Sequence, residues 1–268
     1  MNYSNGICIM WSCGFFSCCS VKLGKLIQYA HCNKRFPDYV DGSRQFGFYK
    51  VEDPEIQIGP DITHRFFNTN IHAPEYNEDV IYTDQFTDYK KINYKATTPV
   101  IQAYFKPSDE VFDRIRLYET KYNIDYENTC GIFYRGNDKR NECTLAPYEE
   151  YEQRALEVQQ QNSDVRFFIQ TDDSMFLQYF LNRFNNCFDI KELPKINDAA
   201  SAVTYKLARE DRVNHGIDLV AVVNILARCK NVIVHSGNCA YWSMLYRGKP
   251  DGIIQHFTNV SRANDRWI

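Results

Sequence analysis

The sequence predicts an α/β protein with mainly parallel sheets. The chain has 268 residues, which is enough for two α/β domains or one large one. Short apolar strands alternate with helical patterns through its second half, and this alternation is typical of parallel sheets. Three of those strands end in polar clusters, as in sheets that bind ligands at their carboxyl edge.

The composition is that of an ordinary globular protein. Hydrophobic residues make up 44% of the chain and charged residues 24%. Lys and Arg total 31 against 34 Asp and Glu, so the net charge is −3. This near balance gives no electrostatic reason to expect nucleic acid or an acidic membrane surface as a partner.

The ten cysteines do not form a metal or disulfide pattern. They contain no C-x-x-C pair and no neighbouring His cluster, which argues against zinc, and a reduced, cytosolic environment fits them best. The apolar segment 6–21 lacks a basic n-region and is too short and interrupted to span a bilayer. We therefore expect a cytoplasmic protein with no membrane span.

The first half opens with a strand at Gly6–Trp11, a turn at 12–17, a helix at 21–34 and a second strand beginning at 37–41. Backbone N–H groups at the Gly14 turn would point toward an anion or a sugar hydroxyl. Without a full G-x-G-x-x-G pattern, this signal is weak.

The segment 52–98 is irregular and polar, is interrupted by prolines, and reads as a long connecting region. Regular elements resume after it. We expect helices at 107–122, 147–160, 175–182, 217–229 and 241–246, and strands at 131–134, 165–170, 232–234 and 252–257.

Polar clusters follow three of these strands, at 135–139, 171–173 and 235–238. If the strands are parallel, the clusters fall on one carboxyl edge and line a single nucleotide crevice. Arg is suited to gripping a diphosphate through two parallel hydrogen bonds.

Each cluster also has a simpler interpretation. The charges of 135–139 would be solvated at a strand end, and Asp173 or Ser174 would cap the following helix. Ser236 and Asn238 would be capping and turn residues, and His235 a packed strand-end side chain.

At these residues the chain resembles the α1,6-fucosyltransferases and the bacterial nodulation fucosyltransferases. Their motif has an Arg, then Asp-Lys, a Thr-Glu, and a Pro-x-Glu-Glu-Tyr helix start, and a Thr-Asp-Asp and a Ser-Ser loop follow later strands. The matching residues here are Arg135, Asp138-Lys139, Glu142, 147–151, Thr171-Asp172-Asp173, Ser236-Gly237-Asn238 and Tyr241-Trp242, with a weaker match at Cys13-Gly14-Phe15. The size is also similar to that of soluble sugar transferases encoded by chlorella viruses.

The resemblance implies a GT-B-like architecture of two Rossmann-like domains. An acceptor-side domain would occupy 1–100 and a nucleotide-sugar-binding domain 101–268. It further implies inversion at the anomeric carbon without a metal or another cofactor, and the chain contains no Asp-x-Asp motif of the divalent-ion type. The expected partners are a nucleotide-diphosphate sugar and a glycan acceptor.

The resemblance also implies roles for individual residues. Glu142 would be the general base, Arg135 would stabilise the departing diphosphate, and Lys139 would hold Glu142 or relay its charge. The expected donor-binding residues are Arg135, Asp138, Asp172, Asp173, Asp218, His235, Ser236, Gly237, Asn238 and Gly14.

The chain departs from the family motif at positions that concern base and phosphate recognition. The family's His is Phe133 here, its second Arg is Gly136, and the loop between Lys139 and Glu142 is one residue shorter. The Asp that reads guanine aligns near Ala221, one helical turn after Asp218.

These departures leave alternatives open. GDP-fucose follows from the resemblance, but another donor such as UDP-xylose is compatible with the retained residues. A non-catalytic nucleotide- or glycan-binding protein is the second class of function. The third is a phosphate- or sulfate-group transferase with the same architecture.

Overall fold

The computed structural model describes residues 5–50, 59–142, 144–196, 206–258 and 265–268, and the side chains of residues 140 and 141 are not among them. The chain divides into two compact units built from interleaved segments. Unit 1 contains Met1–Asp84, Asn93–Arg114 and Leu207–Ala221, and unit 2 contains Gln85–Ile92, Ile115–Lys206 and Val222–Ile268. The domain limits of 1–100 and 101–268 stay a prediction.

Unit 1 is built on a short β-α-β arrangement. Its strands and helices are β1 (Gly6–Trp11), α1 (Phe15–Asn33), β2 (Tyr39–Gln45), α2 (Thr63–Phe66) and α3 (Tyr94–Tyr104), with residues 109–114 of α4 (Asp109–Tyr122) and residues 212–221 of α7 (Arg212–Arg228). Strands β1 and β2 pair in parallel, with an irregularity between Cys8 and Met10.

An aromatic cluster forms the centre of unit 1. Phe15 makes edge-on contacts with Tyr49 and Phe66, at ring-centroid distances of 5.1 and 4.8 Å. Helix α1 therefore begins at Phe15, six residues before the predicted start at residue 21, because Phe15 and Phe16 are both buried. Edge-to-face ring pairs of this kind stabilise a core beyond the area that they bury.

Helix α3 was missed by the sequence analysis. Asn93 caps it by accepting a hydrogen bond from the Ala96 amide at 3.2 Å. Pro99, taken as punctuation in an irregular region, lies inside this helix with its ring exposed. Proline lacks the N–H that an interior position would donate, so it normally signals a helix end. The buried side chains of α3, Val100 and Ile101 among them, hold it in place.

Unit 2 is a six-stranded, mainly parallel sheet with helices. Its strands follow the order β5-β4-β3-β6-β7-β8, and only β8 is antiparallel to its neighbour. The elements are β3 (Thr129–Tyr134), α5 (Tyr148–Gln161), β4 (Arg166–Thr171), α6 (Ser174–Arg183), β5 (Cys187–Phe188), β6 (Asn231–His235), α8 (Asn238–Arg247), β7 (Ile253–Phe257) and β8 (Arg266–Trp267), with the end of α4 and residues 222–228 of α7. The predicted α/β class with mainly parallel sheets is confirmed.

The central strand β3 is buried along its whole length, as a parallel sheet covered on both faces requires. On one face, Tyr134 stacks on Phe176 of α6 with ring centroids 4.1 Å apart, and Tyr151 of α5 meets both rings edge-on. On the other face, Leu226 of α7 approaches Gly131 closely enough that a methyl group there would lie 2.7 Å from it. A side chain at position 131 would therefore displace the Leu226 side chain.

Several predicted boundaries differ from those observed. Helix α5 starts at Tyr148, with Pro147 as its N-cap rather than its first residue. Helix α8 extends over Asn238–Arg247 on both sides of the predicted 241–246, and α7 begins at Arg212, five residues before the prediction. The two-residue strand β8 was not predicted, because so short a segment has no detectable alternation.

Candidate functional site

The strand order of unit 2 changes direction at β3. From β3 the chain proceeds to β4 and β5 on one side and to β6 and β7 on the other. In an open parallel sheet, ligands bind at the carboxyl ends of the strands where this change of direction occurs. Arg135 follows β3 at this point and His235 ends β6, so the first and third predicted clusters meet at the change of direction.

Two carboxylates hold the Arg135 guanidinium. Its Nε lies 2.8 Å from Oδ2 of Asp172, at the end of β4, and its Nη2 donates to Asp138 three residues along the chain. Burial opposes the charge of Arg135, but Asp172 and Asp138 together hold its pKa above the ordinary value. Burial raises the pKa of Asp172, and the Arg135 charge acts in the opposite direction.

The loop that carries Arg135 is fixed to the end of β4 by two hydrogen bonds to Asp172. The Gly136 amide donates to Oδ1 of Asp172 at 3.0 Å, and the Asn137 side chain donates to the Asp172 carbonyl at 2.8 Å. A side chain at position 136 would clash with Asp173 and with the ring of Tyr134. Gly136, where the family has its second Arg, is therefore required by the packing in this chain.

His235 supports this loop from β6. Its Nε2 accepts a hydrogen bond from the Arg135 amide at 2.9 Å, so the proton is on Nδ1, which donates to the Ser236 carbonyl at 2.8 Å. The side chain is completely buried. Burial, assisted by the nearby Lys139 and Arg135 charges, lowers the pKa of His235 to about 3. His235 is therefore a neutral, packed residue that positions Arg135.

Ser236 is also completely buried. Its Oγ accepts hydrogen bonds from Nε2 of Gln255 and from the Thr258 amide, each at 3.1 Å. These hydrogen bonds connect the end of β6 to β7 and to the residue after it, whereas the N-cap of α8 is Gly237, so Ser236 is a buried packing residue and not the helix cap.

The N-terminus of α8 is covered by Tyr89. The Gly237 amide donates to the Tyr89 hydroxyl at 3.1 Å, so this N–H group is not directed at an anion. Asn238, the first residue of α8, and Cys239 after it are both partly exposed. Burial raises the pKa of the Cys239 thiol, and the nearby Arg135 charge acts in the opposite direction.

Asp173 caps helix α6. Its Oδ1 accepts from the Met175 and Phe176 amides at 2.8 and 3.3 Å, and Oδ2 accepts from the Tyr148 hydroxyl at 2.8 Å. Asp173 is buried with both oxygens engaged, which is the alternative that the sequence analysis gave for it.

Lys139 and Glu142 form an ion pair. The Lys139 ammonium lies 2.6 Å from Oε2 of Glu142 and donates to Oε1 of Gln85 at 2.9 Å. Only 6% of the Lys139 side chain is exposed, against 50% of Glu142. The carboxylate therefore reaches solvent while its cationic partner is held inside the site.

Two of the predicted donor-binding residues belong to unit 1. Gly14 precedes α1, and its carbonyl accepts from the Cys18 amide at 3.1 Å. Asp218 is buried on α7 and forms an ion pair with Arg114 of α4. The other predicted site residues all lie in unit 2.

Sequence reasoning missed several residues that complete the cluster in unit 2: Gln85, Tyr89, Cys239 and Gln255. Cys239 comes directly after the Ser236-Gly237-Asn238 loop, so its presence in the cluster could have been predicted from the sequence. Gln85 and Tyr89 come from a segment without hydrophobic periodicity, and no local signal indicated them.

The described part of the chain contains no group of three His, Cys, Asp or Glu side chains arranged to hold a metal ion. None of the helices in those same ranges has both the length and the apolar character needed to cross a membrane. The cysteines described there are all free thiols.

No family model and no curated protein matches the chain. Among solved structures, it is similar to NodZ α-1,6-fucosyltransferase soaked with GDP-fucose, with 17% identity, a TM-score of 0.43, and coverage of 66% of this chain and 53% of that one. The fucosyltransferase NodZ from Bradyrhizobium gives 17% identity, a TM-score of 0.40, and coverage of 65% and 52%.

FUT1 of Arabidopsis thaliana, as a mutant in complex with GDP, gives 9% identity, a TM-score of 0.40, and coverage of 61% of this chain and 36% of that one. The chain thus spans about half the length of the NodZ chains that it matches. NodZ belongs to the family that the sequence motifs resemble. A likeness of this extent assigns no activity, substrate or partner to the protein.

Proposed function

We propose that this protein is an inverting, metal-independent glycosyltransferase that uses a nucleotide-diphosphate sugar as donor and a glycan hydroxyl as acceptor. One observation supports this most. The Arg135 guanidinium lies where the strand order of a parallel sheet changes direction. Asp172, which follows β4, lies 2.8 Å from it, and His235 of β6 accepts a hydrogen bond from the Arg135 backbone amide. Such crevices bind nucleotides, and a fixed cation is suited to a diphosphate.

In this proposal Arg135 stabilises the diphosphate leaving group. As the bond between the sugar and the phosphate oxygen breaks, negative charge accumulates on the nucleoside diphosphate. Asp172 is the more buried of the two carboxylates on Arg135, with 11% of its side chain exposed against 29% for Asp138. The diphosphate would displace Asp138, and Asp172 would keep the guanidinium in place.

Glu142 accepts the proton of the acceptor hydroxyl as the oxygen attacks the anomeric carbon. It is half exposed, as a base that meets a solvent-borne acceptor must be, and its ion pair with Lys139 fixes its position. The oxygen–carbon bond forms as the carbon–phosphate-oxygen bond breaks, so the configuration inverts. A positioned base contributes about 10²- to 10⁴-fold to such a step.

Fucose is the donor sugar that the sequence resemblance favours, and UDP-xylose is the alternative. Asp218 forms an ion pair with Arg114 within unit 1, which gives that carboxylate a structural role. The nucleotide base is therefore the part of the donor that the described residues define least.

A binding panel tests the proposal. GDP-, UDP-, TDP- and ADP-sugars are added separately, and the unfolding temperature is measured with and without a chelator. A ligand at 100 times its Kd stabilises the folded state by about 2.7 kcal/mol. We expect one nucleotide class to raise the unfolding temperature equally with and without chelator. Stabilisation by none of them would contradict a nucleotide-sugar site, and stabilisation that chelator removes would contradict metal independence.

Replacing Glu142 by Gln distinguishes an enzyme from a non-catalytic binder. We expect Glu142→Gln to bind the nucleotide sugar as the wild type does, because the amide keeps the size of the carboxylate. Transfer to a glycan should fall by about 10²- to 10⁴-fold, because the amide cannot accept the proton. Single-turnover kinetics and calorimetry measure the two quantities. Equal loss of binding and transfer would give Glu142 a structural role.

A further inference from the structure

The Lys139 side chain is enclosed by a segment that no sequence motif marked. The Gln85–Ile92 segment belongs to unit 2 although it precedes the sheet by more than 35 residues. Gln85 accepts a hydrogen bond from the Lys139 ammonium at 2.9 Å, and the ammonium lies 5.3 Å from the centre of the Phe86 ring. A methyl group added at Gly237 would lie 3.3 Å from Lys139 Cε, which places the stem against the start of α8.

This segment is anchored to unit 2 at buried points. Gln255 of β7 accepts from the Tyr89 amide at 2.9 Å and donates to the Thr87 carbonyl at 3.0 Å. The Tyr89 hydroxyl lies 3.0 Å from the Gln85 carbonyl and accepts from the Gly237 amide. Gln255 and Tyr89 are both fully buried. Because these contacts fix the backbone beside Gln85, its amide oxygen has a defined position against Lys139.

We propose that Gln85 is a positioning residue for the transfer reaction, acting through Lys139 on the base Glu142. This inference rests on the proposed function. Lys has three N–H donors. Gln85 takes one of them, and Glu142 takes another at 2.6 Å. The neutral Gln85 oxygen fixes the position of the Lys139 ammonium. The Glu142 carboxylate, which pairs with that ammonium, is then fixed as well.

The neutrality of Gln85 matters because, among the described side chains of these ion pairs, carboxylates outnumber cations. Arg135 and Lys139 face Asp138, Asp172 and Glu142. A glutamate at position 85 would keep the oxygen acceptor, but it would compete with Glu142 for the ammonium. It would also add a negative charge beside an incoming diphosphate. An uncharged acceptor avoids both effects.

Three variants test this inference. Gln85→Met keeps the volume of the side chain and removes the acceptor. Gln85→Glu keeps the acceptor and adds a charge. Gln178→Met, at an exposed position on α6, is the matched control. Each is compared with the wild type in two ways: reductive methylation of Lys139 followed by mass spectrometry, and kcat and KM for the donor that the binding panel identifies.

In Gln85→Met we expect about tenfold faster methylation of Lys139, the scale of one lost hydrogen bond to a charged group. We also expect kcat to fall by about 10- to 100-fold with donor KM within about threefold, because a misplaced catalytic group affects the transition state more than binding. In Gln85→Glu, Lys139 should stay protected while donor KM rises. The control should match the wild type.

Unchanged methylation of Lys139 in Gln85→Met would overturn the contact on which the inference rests. Faster methylation with unchanged kcat would overturn the positioning role. A wild type that transfers no sugar from any donor would instead contradict the proposed function, and the methylation data would still report on the contact between Gln85 and Lys139. The two failures are therefore distinguishable.

Discussion

Arg135 is held by two carboxylates with different exposure. Asp172 is nearly buried, and its Oδ1 also accepts from the Gly136 amide, whereas Asp138 lies on the loop itself. Removing one partner of a buried ion pair leaves an uncompensated charge and costs about 3–5 kcal/mol of stability. Substitutions of Arg135 must therefore keep a positive charge if their effect on activity is to be separated from an effect on folding.

We expect Arg135→Lys to fold and to lose about 10²-fold in transfer rate. The ammonium still neutralises Asp172, but it cannot present two parallel N–H groups to a diphosphate. Transfer kinetics and calorimetric titration with the nucleoside diphosphate measure the loss. Arg154→Lys on α5, where the arginine pairs with the neighbouring Glu157, is the control. Equal activity of the two variants would exclude Arg135 from the mechanism.

The sequence left two interpretations of His235, a donor-binding residue or a packed residue at a strand end. They predict different exposure of its side chain. A base or ligand contact needs exposure, and His235 has none. Both ring nitrogens are used, one accepting from the Arg135 amide and the other donating to the Ser236 carbonyl. Protonation would therefore break the hydrogen bond that holds the Arg135 loop.

This arrangement predicts a loss of stability in acid. The folded-state pKa of His235 is about 3, below the ordinary 6.5. Between these values the unfolded chain takes up a proton that the folded protein does not, so the contribution of His235 is complete above pH 6.5 and decreases as the pH falls toward 3. The slope reaches about 1.4 kcal/mol per pH unit for one group.

Urea unfolding from pH 7.5 to 4.5 should show a shallower decrease for His235→Asn than for the wild type. His72→Asn, at an exposed position in unit 1, should follow the wild type. An identical slope in all three proteins would show that His235 is protonated at the same pH in the folded and unfolded states.

At the scale of elements, helix α6 shows why a matched motif does not settle a role. Thr171 is the last residue of β4, and Asp172 and Asp173 follow it, but the three side chains have different roles. Asp172 pairs with Arg135, Asp173 caps α6, and the Thr171 hydroxyl accepts from the Asp173 amide at 3.0 Å. A cap and a ligand contact both require a carboxylate at a strand end, so the sequence alone could not separate them.

Two substitutions separate these roles for Asp173. Asp173→Ala removes the cap of α6 and should lower the free energy of unfolding by about 1 kcal/mol. Asp173→Asn keeps an N-cap of similar strength and should leave both stability and transfer nearly unchanged. Chemical denaturation and transfer kinetics measure the outcomes. A stable Asp173→Asn variant with greatly reduced donor affinity would instead place Asp173 in the donor site.

The elements of unit 2 were predictable because their patterns are local. Strands β3, β4 and β6 are short apolar runs followed by polar clusters, and the shared carboxyl edge follows from their parallel pairing. Helix α3 was hidden by Pro99, and the early start of α1 by the Ser and Gly residues near it. In both cases tertiary burial of aromatic and aliphatic side chains overrode a local signal.

At the scale of the whole molecule, part of the candidate site could not be predicted because it comes from distant chain segments. Arg135, Lys139 and Glu142 were identified from a motif of eight residues. Gln85 and Tyr89 reach the same cluster through hydrogen bonds to Lys139 and to the Gly237 amide. Their segment is held there by the buried side chain of Gln255, about 170 residues later. Contacts at that separation leave no periodicity in the sequence. They depend on the completed sheet.

Lys22 gives unit 1 an unusual dependence on pH. It is buried on α1, with its ammonium 5.1 Å from the centre of the Phe105 ring. Burial lowers its pKa to about 8, although Cys19 and Asp61 act in the opposite direction. Between pH 8 and 10.5 the unfolded chain binds a proton that the folded protein has released, so the contribution of Lys22 to stability rises with pH across that range.

We therefore expect the wild type to gain stability relative to Lys22→Met as the pH rises from 7 to 10. The quantity compared is the free energy of unfolding of the two proteins at each pH. Taking the difference removes the common effect of tyrosines and cysteines that also ionise there. Lys25→Met, at an exposed position of the same helix, should show no such trend. A difference that stays constant over this range would mean that Lys22 keeps an ordinary pKa.

The interleaving of the two units has a consequence for synthesis on the ribosome. Unit 1 is incomplete until Leu207–Ala221 has emerged, and by then all of unit 2 except Val222–Ile268 has been made. Domains usually fold in order from the N-terminus as they are translated. Here unit 1 cannot finish before strands β3, β4 and β5 of unit 2 have been made, so the two units form at overlapping stages of synthesis.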